Sequence, residues 1–327
     1  GLVTPNSSNG TSAVKGSGKP DVTTLVLSIV AREVPSVAEQ RRSSAPPPAI
    51  DPAPLPLRDP APSAVPTRQA KTKAATTVLL SGLVSSTDPA LFLMADGTGG
   101  VGMYVPFPPL SSGRRVYGVE SPYVRDPGSM GDCLVEDLAT AFVAAIRKIQ
   151  PAGPYLLGGY AAGAVYAWEV SRQLLQAGET VLGLLLIDMP APAPVSAALS
   201  GTILTPEQIE EAGLMGPASV GAGKNIREVR SLQKQHLAAA LQMLLRYVPQ
   251  PLPPGKRPAR STVFVAQHGL GKGRGLVKNP ITEWIDANRN RSPTMGWESL
   301  VGAVERRELE TDHFALLKYP QVCHSKC

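Results

Sequence analysis

Two spacings of apolar residues alternate along the chain from about residue 76 onward. Short runs in which nearly every residue is apolar are bounded by glycine or polar residues, a pattern that is typical of buried β-strands. Longer stretches place apolar residues three or four positions apart, which is typical of amphipathic helices. We predict strands at 90–94, 114–121, 154–160, 181–187, 261–269 and 304–309.

Helical spacing occupies the segments between these runs. It predicts a helix within 129–150, with Asp132 as its N-cap and with Arg147 and Lys148 in its last turn, where the helix dipole favours cations. A second helix is predicted from Ala162 to Gln176, ended by Gly178. Strands that alternate with helices predict a mostly parallel sheet with helices on both faces.

An insertion of about seventy residues separates the fourth and fifth predicted strands and carries helical patterns at 205–215 and 225–248. One side of the second helix is apolar: Leu237, Ala240, Leu241, Leu244 and Val248. Two interpretations stay open for this side, which are plain packing onto the domain and the wall of a substrate chamber. Because insertions after parallel strands lie near binding sites, we predict a helical lid at about 192–258.

The first 72 residues differ in composition from the remainder. Residues 1–20 are rich in serine and glycine, and residues 43–66 are rich in proline and alanine, which predicts a flexible linker at 1–72 followed by one folded domain at 73–327. Gly1 is followed by no signal-like segment, so we expect the chain to be a fragment of something longer.

Charge and cysteine content narrow the classes of partner. The net charge is +6, yet the basic residues are scattered, so a nucleic-acid surface is less favoured than an acidic protein partner. No apolar run approaches the ~18 residues of a membrane span. Cys133, Cys323 and Cys327 form no paired framework, which predicts a reducing, cytoplasmic location, and Cys323, His324 and Cys327 lack the second ligand cluster of a metal site.

The turn between the third strand and the second helix carries the candidate chemistry. Residues 159–163 read Gly-Tyr-Ala-Ala-Gly, which is the nucleophile elbow G-x-S-x-G with Ala161 in place of serine. A dinucleotide-binding turn would need G-x-G-x-x-G, which residues 158–163 do not supply, and a P-loop would need Gly-Lys-Ser/Thr, which the sequence lacks. The elbow therefore fits best.

Two further residues follow in the chain order nucleophile, acid, histidine that is typical of the α/β-hydrolase fold. Asp188 ends an apolar strand and His313 follows the last predicted strand, although a turn cap and a surface histidine are the plain alternatives. Backbone N–H groups at Gly97, Thr98 and Ala162 are the predicted oxyanion hole. Less suitable acids and histidines are Asp286, Asp312, His236, His268 and His324.

Five motifs together carry a family resemblance: LFLMADGTGG, YGVESPYVRDP, GPYLLGGYAAGAVYAWEVSRQLL, GLLLIDMPAP and DHF. Over about residues 76–320 the chain resembles the thioesterase domain that closes fungal non-reducing iterative polyketide synthases. The resemblance implies a triad of a serine at position 161, Asp188 and His313. It implies a polyketide substrate carried on the phosphopantetheine arm of an acyl-carrier protein, with no cofactor on the domain itself. It implies release by Claisen cyclisation, hydrolysis, or ester or lactone formation.

Ala161 is the departure from that pattern. A methyl group has no lone pair with which to attack a thioester, and loss of a catalytic serine costs about 10⁶-fold in turnover, so we expect this chain to be inactive. The hydroxyls of Tyr160, Tyr166 and Ser171 are not expected to substitute. An engineered serine-to-alanine change and a natural non-catalytic module that binds acylated carrier protein both explain the alanine. A generic acyl hydrolase of the nonribosomal-peptide type is the third alternative.

Overall fold

The computed structural model describes residues 73–317, except 108, 111, 194, 196–198, 200, 202, 216–225, 253–254 and 271–276. The predicted linker at 1–72 and the Cys323, His324 and Cys327 group lie outside these residues. Seven strands form one sheet: β1 Thr76–Ser81, β2 Leu91–Met94, β3 Val116–Glu120, β4 Tyr155–Tyr160, β5 Val181–Ile187, β6 Arg260–Ala266 and β7 Glu305–Leu309. The helices are α1 Val135–Ile149, α2 Ala162–Gln176, α3 Pro206–Glu211, α4 Ile226–Arg246, α5 Pro280–Arg289 and α6 Glu298–Val301.

The strands are arranged in the order β1-β3-β2-β4-β5-β6-β7, and all neighbours are parallel except β1 and β3. The predicted mostly parallel sheet is therefore confirmed. Every residue of the central strand β4 is buried, so both faces of the sheet are covered there. The six predicted strands are all present, and the antiparallel edge strand β1 was missed because none of its residues is buried and its apolar run, Val78 to Leu80, is only three residues long.

Helix α1 begins later than predicted. Asp132 is exposed and lies before the helix, so its prediction as the N-cap was wrong. The Asp137 carboxylate instead accepts a hydrogen bond of 3.1 Å from the Leu134 N–H, which lies just before the first turn. Arg147 and Lys148 are in the last turn, as predicted.

The C-terminal end of insertion helix α4 is tied to helix α2 by a buried carboxylate. Glu169 has no exposed surface, and it accepts hydrogen bonds from Arg172 at 2.6 and 2.7 Å and from the Tyr247 hydroxyl at 2.7 Å. These partners satisfy a charge that would be costly to bury alone. Among the described helices, none combines the length and the apolar composition needed to cross a lipid bilayer.

Helix α2 starts so close to the strands that side chains do not fit between them. A Cβ atom on Gly163 would lie 2.7 Å from the Met94 carbonyl oxygen, and one on Gly159 would lie 2.0 Å from the Gly163 carbonyl oxygen. The buried Tyr104 hydroxyl links the same strand ends, because it donates to Met94 O at 2.7 Å and accepts from Tyr160 N at 2.8 Å. This close approach fixes the turn between β4 and α2.

We predict that Gly163→Ala lowers the free energy of unfolding by about 1–3 kcal/mol, because the new methyl group would press against a backbone carbonyl that cannot rotate away. Urea unfolding measures the change. Gly128→Ala is the matched control, because a Cβ there meets nothing nearer than 4.0 Å. An equal loss of stability in both variants would contradict the contact as the cause.

Candidate active site

Ala161 lies at the apex of the turn between β4 and α2. Its backbone has φ 51° and ψ −126°, a region that residues other than glycine rarely occupy. Its N–H donates to Ile187 O at 2.9 Å, and the residue lies on the wall of a cavity. This is the strained strand-turn-helix geometry of a nucleophile elbow, with a methyl group at the position of the nucleophile.

Asp188 and His313 are brought together beside this turn, although they are 125 residues apart in the chain. His313 Nδ1 lies 2.7 Å from Asp188 Oδ2, and both residues are on the same cavity wall as Ala161. Because a carboxylate only accepts hydrogen bonds, His313 Nδ1 must be the donor, which leaves Nε2 as the nitrogen available to a reacting group. The pair has the geometry of the acid and base of a catalytic triad.

The carboxylate of Asp188 has a further partner that sequence reasoning missed. Arg289 Nη1 lies 2.8 Å from Asp188 Oδ1, and Arg289 Nη2 donates to Ala266 O at 2.6 Å. The Ala266 N–H donates to the same Oδ1 at 2.7 Å. Arg289 is on the buried side of α5, and the apolar spacing of that helix is the signal that could have indicated it.

These contacts determine the charge of Asp188. Burial alone would raise the pKa of its carboxyl, but the hydrogen bond and positive charge of His313, the charge of Arg289 and the Ala266 N–H outweigh burial and lower it. Asp188 therefore stays ionised and able to stabilise a protonated His313.

The loop after β2 faces the elbow from the other side of the cavity. Gly97 and Ala162 are both on the cavity wall, and Ala162 is the first residue of α2, where N–H groups have no partner within the helix. In the described part of the chain, no hydrogen-bond acceptor faces the Gly97 N–H. The Thr98 N–H was predicted as an oxyanion donor, but it donates to Asp96 Oδ1 at 2.8 Å and so stabilises the loop.

The hydroxyls near the elbow are engaged or buried. Tyr160 lies on the cavity wall, with its ring stacked on His313 at a centroid distance of 4.7 Å. Its hydroxyl donates to His313 O at 2.8 Å, and burial raises its pKa well above the usual value. Tyr166 and Ser171 are fully buried and do not line the cavity.

The other acid and histidine candidates take no part in the Asp188–His313 pair. Asp286 and His268 are exposed and do not line the cavity, and His324 is outside the described residues. Asp312 immediately precedes His313 in the chain, and its Oδ1 accepts a hydrogen bond from Ala315 N at 2.9 Å. His236, on α4, is fully buried against the loop after β2, and nothing in the sequence indicated this position.

The cavity is mainly apolar away from the elbow and opens to solvent at its mouth. Its apolar wall combines the insertion with the segments after β6: Leu214, Met215, Leu237, Leu241, Leu244, Leu270 and Ile285. The apolar side of α4 therefore lines the cavity, as one of the two interpretations proposed. Val248 does not share this role, since 61% of it is exposed.

The family model described as a thioesterase domain matches residues 89–325. The chain belongs to the thioesterase domain family. Among its relatives is the non-reducing polyketide synthase stmB of Aspergillus ustus, which is 34% identical over 311 residues. The non-reducing polyketide synthase PKS16 of Cladonia grayi is 35% identical over 266 residues. The alignments cover 85% and 76% of this chain, but only 14% and 12% of those much longer proteins.

Solved thioesterases share the fold. The type II thioesterase BorB from the borrelidin biosynthetic cluster superposes with a TM-score of 0.55 over 74% of this chain and 91% of its own, at 18% identity. YbtT, a type II thioesterase from the yersiniabactin pathway, gives 0.51 over 74% and 92%, at 20% identity. Together with the sheet order, this likeness confirms the α/β-hydrolase fold of the thioesterase domain.

Arg289→Gln in the thioesterase domain is expected to lower the free energy of unfolding by about 3–5 kcal/mol, because it leaves a buried carboxylate with one cation fewer. Chemical denaturation measures the loss. Arg291→Gln, at an exposed position just after α5, is the control, and it should change stability by less than about 0.5 kcal/mol. Equal effects of the two changes would contradict the role of the Arg289–Asp188 pair.

The lowered pKa of Asp188 also predicts how stability depends on pH. Its ionised form contributes stability that is fully present above the unfolded-state pKa of about 3.9 and is lost as the pH falls through the lower folded-state value. Asp188→Asn should therefore flatten the decline in unfolding free energy below about pH 4. Asp286→Asn, on the exposed face of α5, should leave that decline unchanged, and the reverse result would contradict the assignment.

Proposed function

We propose that this thioesterase domain is the product-releasing domain of a non-reducing polyketide synthase, and that Ala161 occupies the position of its nucleophile. The observation that carries the proposal is the contact of 2.7 Å between Asp188 and His313 in the cavity that Ala161 also lines. The relatives that match most of the chain are named as non-reducing polyketide synthases, which supports a polyketide thioester as the substrate. The partner is an acyl-carrier protein domain whose phosphopantetheine arm carries that thioester, and the domain needs no cofactor of its own.

With serine at position 161, the chemistry follows from the arrangement. His313 Nε2 takes the proton of the serine hydroxyl while its oxygen attacks the thioester carbonyl, and the negative oxygen that forms is stabilised by the N–H groups of Gly97 and Ala162. The C–S bond then breaks, and the departing thiolate takes the proton back from His313. Asp188 stabilises the charged imidazole during both transfers.

Release repeats the sequence with a second nucleophile. His313 removes a proton from water, from a hydroxyl or from an acidic methylene of the chain, and the new nucleophile displaces the serine oxygen. The products are then an acid, an ester or lactone, or a new carbon–carbon bonded ring. The largely apolar cavity excludes bulk water from much of the acyl chain, which favours nucleophiles that belong to the chain itself.

A second function follows from the alanine. The chain as it stands has the cavity and the oxyanion donors but no atom to acylate, so it binds an acyl thioester without consuming it. An engineered substitution and a natural carrier-binding module have this property in common.

The decisive experiment incubates the chain and its Ala161→Ser variant with an aryl or polyketide N-acetylcysteamine thioester and records intact masses. We expect an acyl adduct on the serine variant alone, because Asp188 and His313 are already paired beside position 161. Turnover of the thioester by the serine variant should exceed that of the chain by at least about 10³-fold.

The control combines Ala161→Ser with His313→Gln, which keeps the hydroxyl but removes the base. An adduct at the unreduced rate in this double variant would contradict the assigned base. No adduct on either the serine variant or the chain would overturn the releasing function and leave the binding function, which calorimetry with acylated carrier protein would then test.

A further inference from the structure

A histidine outside the triad connects the insertion to the loop that supplies an oxyanion donor. We call residues 96–100 the oxyanion loop. His236, on helix α4, has no exposed surface, and its Nδ1 lies 2.9 Å from Gly97 O, while its Nε2 lies 2.8 Å from Ser121 Oγ. Neither His236 nor Ser121 lines the cavity, so this pair is separate from the triad.

The partners determine which ring nitrogen carries the proton. Gly97 O can only accept, so Nδ1 must be the donor. Ser121 Oγ already accepts from Tyr123 N at 3.2 Å, which leaves its own proton for His236 Nε2. Burial lowers the pKa of His236, against the opposing effect of the Gly97 bond, and so favours the neutral ring that this pattern requires.

The remaining backbone groups of the oxyanion loop are held by the fold. Asp96 N donates to Gly100 O, Gly99 N donates to Asp96 O, and Ser121 N donates to Gly99 O, at 2.9–3.2 Å. Among the carbonyls of residues 96, 97, 99 and 100, that of Gly97 is the one held by a side chain of the insertion. The peptide after Gly97 is held at both edges, since its Thr98 N–H donates to Asp96 Oδ1 at 2.8 Å and its carbonyl accepts from His236. Without the His236 bond, this glycine, whose backbone has few steric limits, would be held at one edge only.

Helix α4 also presses on this loop sterically. A Cβ atom on Gly99, which has φ +83°, would lie 2.6 Å from the His236 ring, and one on Gly97 would lie 2.6 Å from Leu237 Cδ1. Adjacent residues of α4 thus contact two glycines of the loop. The loop and the helix fit together only without side chains between them.

We propose that His236 is a positioning residue that couples the docking of helix α4 to the geometry of the oxyanion loop. It fixes the Gly97 carbonyl and so keeps the Gly97 N–H in place for the developing negative charge. The inference rests on the proposed releasing function for its kinetic consequence, and its structural part is independent of that function.

The kinetic test uses the Ala161→Ser background and the N-acetylcysteamine thioester. His236→Phe keeps a ring against Gly99 but loses both hydrogen bonds, and it should lower kcat by about 10²-fold with KM little changed. His236→Asn retains a donor at the position of Nδ1 and should recover most of that loss. Rescue by asparagine separates the Gly97 bond from the Ser121 bond.

The matched control is Tyr247→Phe, which removes another buried hydrogen bond of the insertion, at the C-terminal end of α4, where it contacts neither the loop nor the cavity. We expect kcat to stay within about 3-fold of its parent, even where the melting temperature falls as much as for His236→Phe. Similar losses of kcat in both variants would show that His236 has only a structural role and would overturn the proposal.

The structural test needs no activity and uses the chain as it stands. Nitrogen-15 NMR of histidine-labelled protein, with the His236 signals assigned through His236→Asn, should show a neutral ring protonated at Nδ1. Protonation at Nε2 alone would overturn the Gly97 bond, and an acyl adduct on Ser121 would show a nucleophile instead of a brace. If the Ala161→Ser variant is unreactive while the Nδ1 proton is observed, the releasing function is contradicted and the hydrogen bond from His236 to Gly97 is confirmed.

Discussion

The site depends on a contact between backbones where helix α2 begins. Gly163 lies against the carbonyl of Met94, and Gly159 lies against the carbonyl of Gly163, with no room for a side chain at either position. The turn made at this separation has a positive φ at Ala161 and leaves Ala162, the first residue of α2, on the cavity wall. The hydroxyl of Tyr104 holds the two strand ends at this separation.

The charged part of the site is organised around one buried carboxylate. Asp188 is 1% exposed, accepts from the Ala266 N–H on Oδ1 and pairs with Arg289 through the same oxygen. Its other oxygen, Oδ2, accepts from His313 Nδ1, and this bond orients the imidazole ring. Arg289 affects the chemistry indirectly, because it helps to keep the Asp188 carboxylate ionised.

Much of this arrangement could be predicted from the sequence, since buried strands and amphipathic helices leave distinct apolar spacings and since the residues of a hydrolase follow a fixed order. Asp188 was recognisable at the end of an apolar strand, and His313 after the last strand. Arg289 had a signal, since it lies at the spacing of the buried Ile281 and Ile285 on α5. His236 had none, because no local pattern indicates that its partner is Gly97, 139 residues away. The N-cap prediction at Asp132 was wrong because α1 begins at Val135, where Asp137 accepts from the Leu134 N–H from within the first turn.

Helix α4 contributes in two ways to the same cavity, since its leucines form part of the apolar wall while its histidine braces the oxyanion loop. A displacement of this helix that admits a bulky substrate would therefore also withdraw the brace from Gly97. The shape of the acyl chamber and the geometry of the oxyanion loop are therefore tied to the position of one helix, and neither can change without the other.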